Sequence, residues 1–99
     1  MSYVILGSKP GQYRSEPGEG MEPIERWDYL FYGRRRASFL IARMPAEGKV
    51  RVIDEDGAET VNLVPTKFLE KFESLDAARA SLQALAKFGA MDIRLERAT

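Results

Sequence analysis

The chain has 99 residues, 15 Lys and Arg against 15 Asp and Glu, and neither histidine nor cysteine. That length supports one hydrophobic core, since two would leave each half near the lower limit for unaided folding. With no thiol and no imidazole there is no disulfide, thiolate nucleophile, zinc knuckle, Ser–His–Asp triad or Cys- or His-ligated iron–sulfur cluster, Rieske centres included.

The elements are legible in chain order. Tyr3 to Leu6 is a short continuous apolar run and reads as a buried strand. Residues 8–24 hold Pro10, Gly11, Pro17, Gly18, Gly20 and Pro23 and read as a flexible loop, since such a density of Pro and Gly defeats helix and ladder alike. Arg26 to Tyr32 reads as an aromatic strand, Gly33 to Arg36 as a basic turn, and Ala37 to Met44 as the next strand. Pro45 to Gly48 is a turn, and Lys49 to Asp54 pairs with Glu59 to Val64 across an acidic turn at Glu55 to Ala58 that carries the Asp-Gly signal.

Helical spacing then begins. Thr66 is a candidate N-cap for a first helix with Phe68, Leu69 and Phe72 on one face. Ser74 is the candidate N-cap of a second, with Leu75, Ala78, Leu82, Leu85 and Ala86 at helical intervals and Gly89 as its C-terminal glycine. Met91, Ile93 and Leu95 alternate with charged residues and predict a final strand. The expectation is a single α+β domain over 1–99. Its antiparallel sheet is a four-strand meander plus N- and C-terminal strands lying side by side, with two helices packed on one face.

In that arrangement Trp27, Tyr29, Phe31, Phe39, Ile41, Val50, Val52, Val61 and Leu63 face the helices. The opposite face carries Leu30, Tyr32, Leu40, Ala42, Met44 and Ile53 and needs a cover, because a large open apolar patch marks an interface. The loop at 8–24, a second copy of the chain and another protein are the three candidate covers. The basic turn and the acidic turn fall at the same end of a meander, which makes a bipolar surface.

The candidate binding residues are therefore Arg34, Arg35 and Arg36 at the basic turn, Tyr32 beside them, and Leu30, Leu40 and Ile53 on the open face. No residue is singled out as catalytic or metal-ligating: Asp54, Glu55 and Asp56 lack the spacing of a calcium loop, and no carboxylate pair stands out as an acid/base dyad. No cofactor is expected. Residues 1–50 carry 8 basic and 6 acidic residues and residues 51–99 carry 7 and 9, so neither half has the excess of a general nucleic-acid or membrane binder. With no N-terminal signal segment and no 18-residue apolar run, a cytoplasmic protein is expected.

Asp28-Tyr29-Leu30-Phe31-Tyr32-Gly33-Arg34, Ala37-Ser38-Phe39 and Val61-Asn62-Leu63-Val64-Pro65-Thr66-Lys67-Phe68-Leu69-Glu70-Lys71-Phe72 together resemble a family of small bacterial proteins sometimes labelled "ferredoxin" near aromatic-degradation or oxygenase genes. The resemblance implies an accessory component of a redox enzyme. It brings no active-site motif, and the chain has no thiolate to hold a cluster.

The expected function is a non-catalytic accessory or protein-binding domain whose partner is another protein, such as an oxygenase component, or a second copy of itself. The alternative is a small enzyme or small-molecule-binding protein, which requires a pocket into which several of Tyr13, Arg14, Glu25, Tyr32 and Arg34 converge. Nucleic-acid binding through the basic turn and its neighbouring aromatics is the third reading.

Overall fold

The computed structural model describes residues 2–57, 59–86 and 91–98. Ala58 of the acidic turn and the expected helix-terminating Gly89 lie outside the described residues. Seven strands are present: β1 (Ser2–Ser8), β2 (Tyr13–Glu16), β3 (Glu22–Phe31), β4 (Arg34–Met44), β5 (Lys49–Asp54), β6 (Val61–Pro65) and β7 (Ile93–Arg97). One α-helix, α1 (Leu75–Ala84), and a 3-10 turn at Thr66–Phe68 complete the described elements.

The strands form two antiparallel sheets, one in the order β1-β4-β3-β7 and one in the order β2-β5-β6. The expected single sheet is therefore corrected. The reason is a competition for edges: a strand has two sides, and those of β4 are taken by β3 and by β1, which pairs from Ser2↔Met44 to Ser8↔Ser38. Nothing is left for β5, so the chain leaves the sheet after Met44 and starts a second one. The terminal strands do not lie side by side; β1 and β7 are the opposite edges of the four-stranded sheet.

The region expected to be a structureless loop is corrected as well. Lys9 and Tyr13 exchange both backbone hydrogen bonds, and the chain returns as β2, paired to β5 from Tyr13↔Asp54 to Glu16↔Arg51. Pro10 and Gly11 sit in the turn before this short strand and Pro17, Gly18 and Gly20 in the turn after it, while Pro23 lies in β3 beside a register shift.

Two helices on one face are also corrected: among the described residues there is one α-helix. The first expected helix fails because its residues are claimed elsewhere. Thr66 does not cap; its hydroxyl is fully buried and bonded to Glu47 and Gly48. Phe72 exchanges N–H and C=O bonds of 2.8 Å with Tyr3, which holds it extended against the β1 edge. What remains is too short to nucleate a helix unaided, and Phe68 is left exposed.

The second helix forms as expected. Ser74 Oγ accepts from the Ala77 N–H at 3.0 Å, and Asp76 lies in the first turn, where a negative charge meets the helix dipole favourably. Replacing Ser74 with Ala should cost about 1 kcal/mol in urea unfolding by removing that cap.

The molecule has three layers. Against one face of the four-stranded sheet, α1 packs Ala78 and Leu82 onto Ile41, with Tyr3, Ile5, Trp27, Phe39, Phe72 and Leu95 around them. Against the other, the three-stranded sheet packs Val50 and Val64 onto Val4, Leu6, Leu40, Ala42 and Met44. The face expected to be open is covered by the chain's own second sheet. Leu40 and Ile53 are buried, at 6% and 5% exposure, and Leu30 is half-buried. An apolar sheet face that docks a partner through Leu40 and Ile53 is thereby excluded.

Candidate functional site: a guanidinium-lined groove between the sheets

The second sheet covers only part of the four-stranded one. Beyond the edge of β2 the strands β1, β3 and β4 continue, and their residues on that side turn polar: Ser8, Arg26, Asp28, Arg35 and Ser38. The result is a groove of about 710 Å³. Its floor is Ser8, Arg26, Arg35, Ser38 and the edge of Leu40, and its wall is Pro10, Tyr13, Arg14, Glu16 and Pro17, with Glu55 reaching over from the acidic turn.

Local irregularities place these side chains. Tyr32 and Gly33 have φ of 50° and 81°, the left-handed pair of a two-residue hairpin turn, so the turn precedes the arginines and Arg34, Arg35 and Arg36 all belong to β4. The register then slips, from Tyr29↔Ala37 to Leu30↔Arg35, leaving Arg36 as a bulge. A bulge re-aims the residues beyond it. Arg35 is thereby brought to the groove side, with its Nη1 3.9 Å from Asp28 Oδ1. Arg36 lines a hollow on the helix side with Tyr29, Phe39 and Leu85. The expected basic cluster is split across two faces, and Tyr32 lines neither cavity but projects 59% exposed at the hairpin tip.

Across the groove, Arg14 is held by Glu16 at 3.1 Å and Glu55 at 3.0 Å, and Arg51 approaches Glu16 at 3.7 Å. The hydrogen bonds it donates to Glu16 and then to Glu55 push the Arg14 guanidinium further above its ordinary value. The two carboxylates that line the groove, Glu16 and Glu55, are thus committed to arginine, and Asp28 on the same side lies beside Arg35. Arg26 is different: it is exposed on the floor and has no ion pair among the described residues.

Of the residues that a small-molecule pocket was expected to gather, Tyr13 and Arg14 are in the groove, while Tyr32, Arg34 and Glu25 are not. Glu25 lies on the helix side, 2% exposed. Its two oxygens each take a 2.7 Å bond from Arg79, on Nε and Nη2; Oε1 also accepts from Trp27 Nε1 at 3.0 Å, and Arg97 stands 3.5 Å from Oε2. The Arg79 fork, against the opposing effect of burial, holds the carboxyl down at about 2. Glu25 clamps α1 to β3 and offers nothing to a ligand.

Ser8 Oγ accepts from the Ser15 N–H at 2.9 Å and Ser15 donates to the Gly7 carbonyl, so neither hydroxyl is bonded to a base. Among the described residues the one hydroxyl–carboxylate hydrogen bond is Thr66 to Glu47 at 2.6 Å, outside the groove. Thr66 is fully buried, and Thr66 and Lys71 hold the Glu47 carboxyl below its usual range, which weakens it as a base. Among the described residues no three carboxylates converge on a metal-sized site, and no helix is long and apolar enough to cross a membrane.

The chain matches no family model, no curated protein and no solved structure. Sequence reasoning missed Arg26 as a groove residue because its strand position looks like any solvent-facing alternate. Only the partial cover by β2 makes that side of β3 concave, and nothing local in the sequence signals a pairing between residues 13–16 and 51–54.

Proposed function

We propose that this is a non-catalytic recognition domain, cytoplasmic, whose inter-sheet groove takes an acidic segment of a partner protein. The observation that carries the reading is Arg26 on the groove floor, exposed and without a carboxylate, beside Arg35, whose nearest carboxylate oxygen stands 3.9 Å away. Guanidinium forks match carboxylates in a bidentate way, and a concave wall raises the local potential. The half-exposed Tyr13 ring and the prolines Pro10 and Pro17 add apolar surface for the stem of a bound chain. An oxygenase component is the partner class that the sequence resemblance suggests.

The test is fluorescence anisotropy with a labelled Glu-rich decapeptide, a neutral Gln-rich one and a single-stranded oligonucleotide. The acidic peptide should bind, more weakly as salt rises. Arg26→Glu with Arg35→Glu should lower that affinity at least about tenfold, or about 1.4 kcal/mol. Equal binding of the neutral peptide, or an unaffected double variant, rejects the groove. Tighter binding of the oligonucleotide than of the acidic peptide at matched charge replaces this reading by nucleic-acid recognition.

A further inference from the structure

An edge strand presents unpaired N–H and C=O groups, and proteins protect such edges with charge, bulges or cover. Three of the four edges here are protected. The β1 edge is closed by Phe72 at Tyr3 and by the turn into β2. The outer side of β2 faces β1, where Tyr13 bonds Lys9 and the Ser15 N–H bonds Ser8. The β7 edge reads Ile-Arg-Leu-Glu-Arg, with charge at three of its five positions.

The β6 edge has none of this. It reads Val-Asn-Leu-Val-Pro, without a charge, and Val61 and Leu63 are 50% and 58% exposed. Its free groups follow from the ladder. The Asp54 N–H bonds Thr60 and the Thr66 N–H bonds Gly48, which makes 52↔62 and 50↔64 the hydrogen-bonded pairs with β5. Val61 and Leu63 therefore aim their N–H and C=O groups outward.

We propose that β6 is the interface with a second copy of this chain, the two strands pairing antiparallel about a two-fold axis through Asn62. In that register Val61 lies opposite Leu63 of the second copy, in both directions. All four outward N–H groups then find carbonyls, and Pro65, with no N–H, ends the ladder where the strand ends. Displacement by two residues toward Pro65 sets Val61 opposite a residue that returns no N–H, displacement by two toward the strand start sets Leu63 opposite Glu59, whose φ of 48° takes it out of the strand, and a shift by one puts the outward groups opposite residues whose groups already face β5.

Charge complementarity points to the same occupant. Asp54, Asp56 and Glu59 at the start of β6 and Lys49 and Lys67 at its end have no ion-pair partner among the described residues. An antiparallel two-fold brings the acidic end of each copy to the basic end of the other, within about one Debye length. The six strands become one continuous sheet, with Val61 and Leu63 of both copies forming one apolar strip.

The chain has no cysteine, so a single engineered thiol tests the register directly. In this register residue 62 faces itself as a non-hydrogen-bonded pair with Cα atoms about 4.5 Å apart, inside the range a disulfide spans. Asn62→Cys should oxidise to a covalent dimer at least about tenfold faster than Glu70→Cys, an exposed position off the edge. Sedimentation of the unmodified protein should show a concentration-dependent dimer, and Leu63→Lys should raise its dissociation constant about tenfold by setting like charges on both sides of the axis. Leu63→Pro removes only an outward N–H, so it should also give monomer, with Trp27 fluorescence reporting that the fold is kept. A protein that stays monomeric to millimolar concentration, or Asn62→Cys oxidising no faster than Glu70→Cys, overturns the proposal. Either result leaves the groove, on the opposite edge of the same sheet, untouched.

Discussion

Arg79→Ala should lower the stability of the protein by about 3–5 kcal/mol near neutral pH, the cost of stranding a buried charge. The arginine is itself 37% exposed, but the carboxylate it serves is 1% exposed. Removing Arg79 leaves Glu25 with the Trp27 N–H and a guanidinium of Arg97 at 3.5 Å. Glu25→Gln should cost clearly less: its amide oxygen still accepts from Trp27, and the released Arg79 can turn to Asp76, 3.4 Å away, and to water. The asymmetry between the two variants separates a buried charge from a simple lost contact.

The same pair sets a pH signature. Glu25 has a folded-state value of about 2 against an ordinary 4.5. Its contribution is therefore complete above about pH 4.5 and is lost as pH falls toward 2, about 3 kcal/mol in all. In Arg79→Ala the sign reverses, because burial without the fork raises the carboxyl above its unfolded value and protonation then favours the folded state. The stability gap between wild type and variant should narrow steadily from pH 7 to pH 4 in urea titrations followed by Trp27 fluorescence. A deficit below about 1 kcal/mol at pH 7, or a gap that widens on acidification, would show that the clamp is not what holds α1 on the sheet.

What the sequence disclosed and what it hid divide along the range of the interactions involved. The strands at 26–32, 37–44, 49–54 and 59–64 and the helix after Ser74 were readable because alternation, turn glycines and a cap are local signals. Strand partners were not. That β1 takes the free side of β4 depends on a pairing between residues 2–8 and 38–44, and three corrections follow from it: the split of the meander, the strand inside the Pro- and Gly-rich stretch, and the covered face at Leu40 and Ile53. The arginine run shows the same limit at a smaller scale. Arg34, Arg35 and Arg36 look like one patch until a single bulge at Arg36 sends Arg35 to the groove and its neighbours to the helix side. The lack of His and Cys depends on no pairing at all, because it excludes thiolate and imidazole chemistry in any fold.

Gly18→Ala is expected to be the other damaging substitution, although Gly18 has none of the positive φ that marks Gly11, Gly20 and Gly33. A Cβ at this position would fall far inside van der Waals contact with the carbonyl oxygen of Lys49, a backbone atom at the start of β5 that cannot rotate away. The turn itself is tight: the Gly18 carbonyl accepts from the Met21 N–H at 3.2 Å, and the Gly18 N–H points at Met21 Sδ. Either the 16–21 turn or the first residues of β5 must move, at a cost of about 1–3 kcal/mol. Gly20 provides the contrast, since it has φ of 81° and open space around it; Gly20→Ala pays only left-handed strain, about 1–2 kcal/mol. The two are told apart by where the structure shifts. Amide chemical-shift changes for Gly18→Ala should extend to Lys49, Val50 and Arg51 across the sheet, and those for Gly20→Ala should stay within the turn. Because Glu16 and Pro17 wall the groove immediately before Gly18, Gly18→Ala should also weaken acidic-peptide binding while Gly20→Ala leaves it unchanged. Equal effects of the two alanines on β5 and on binding would mean that close approach of the turn to Lys49 does not shape the groove.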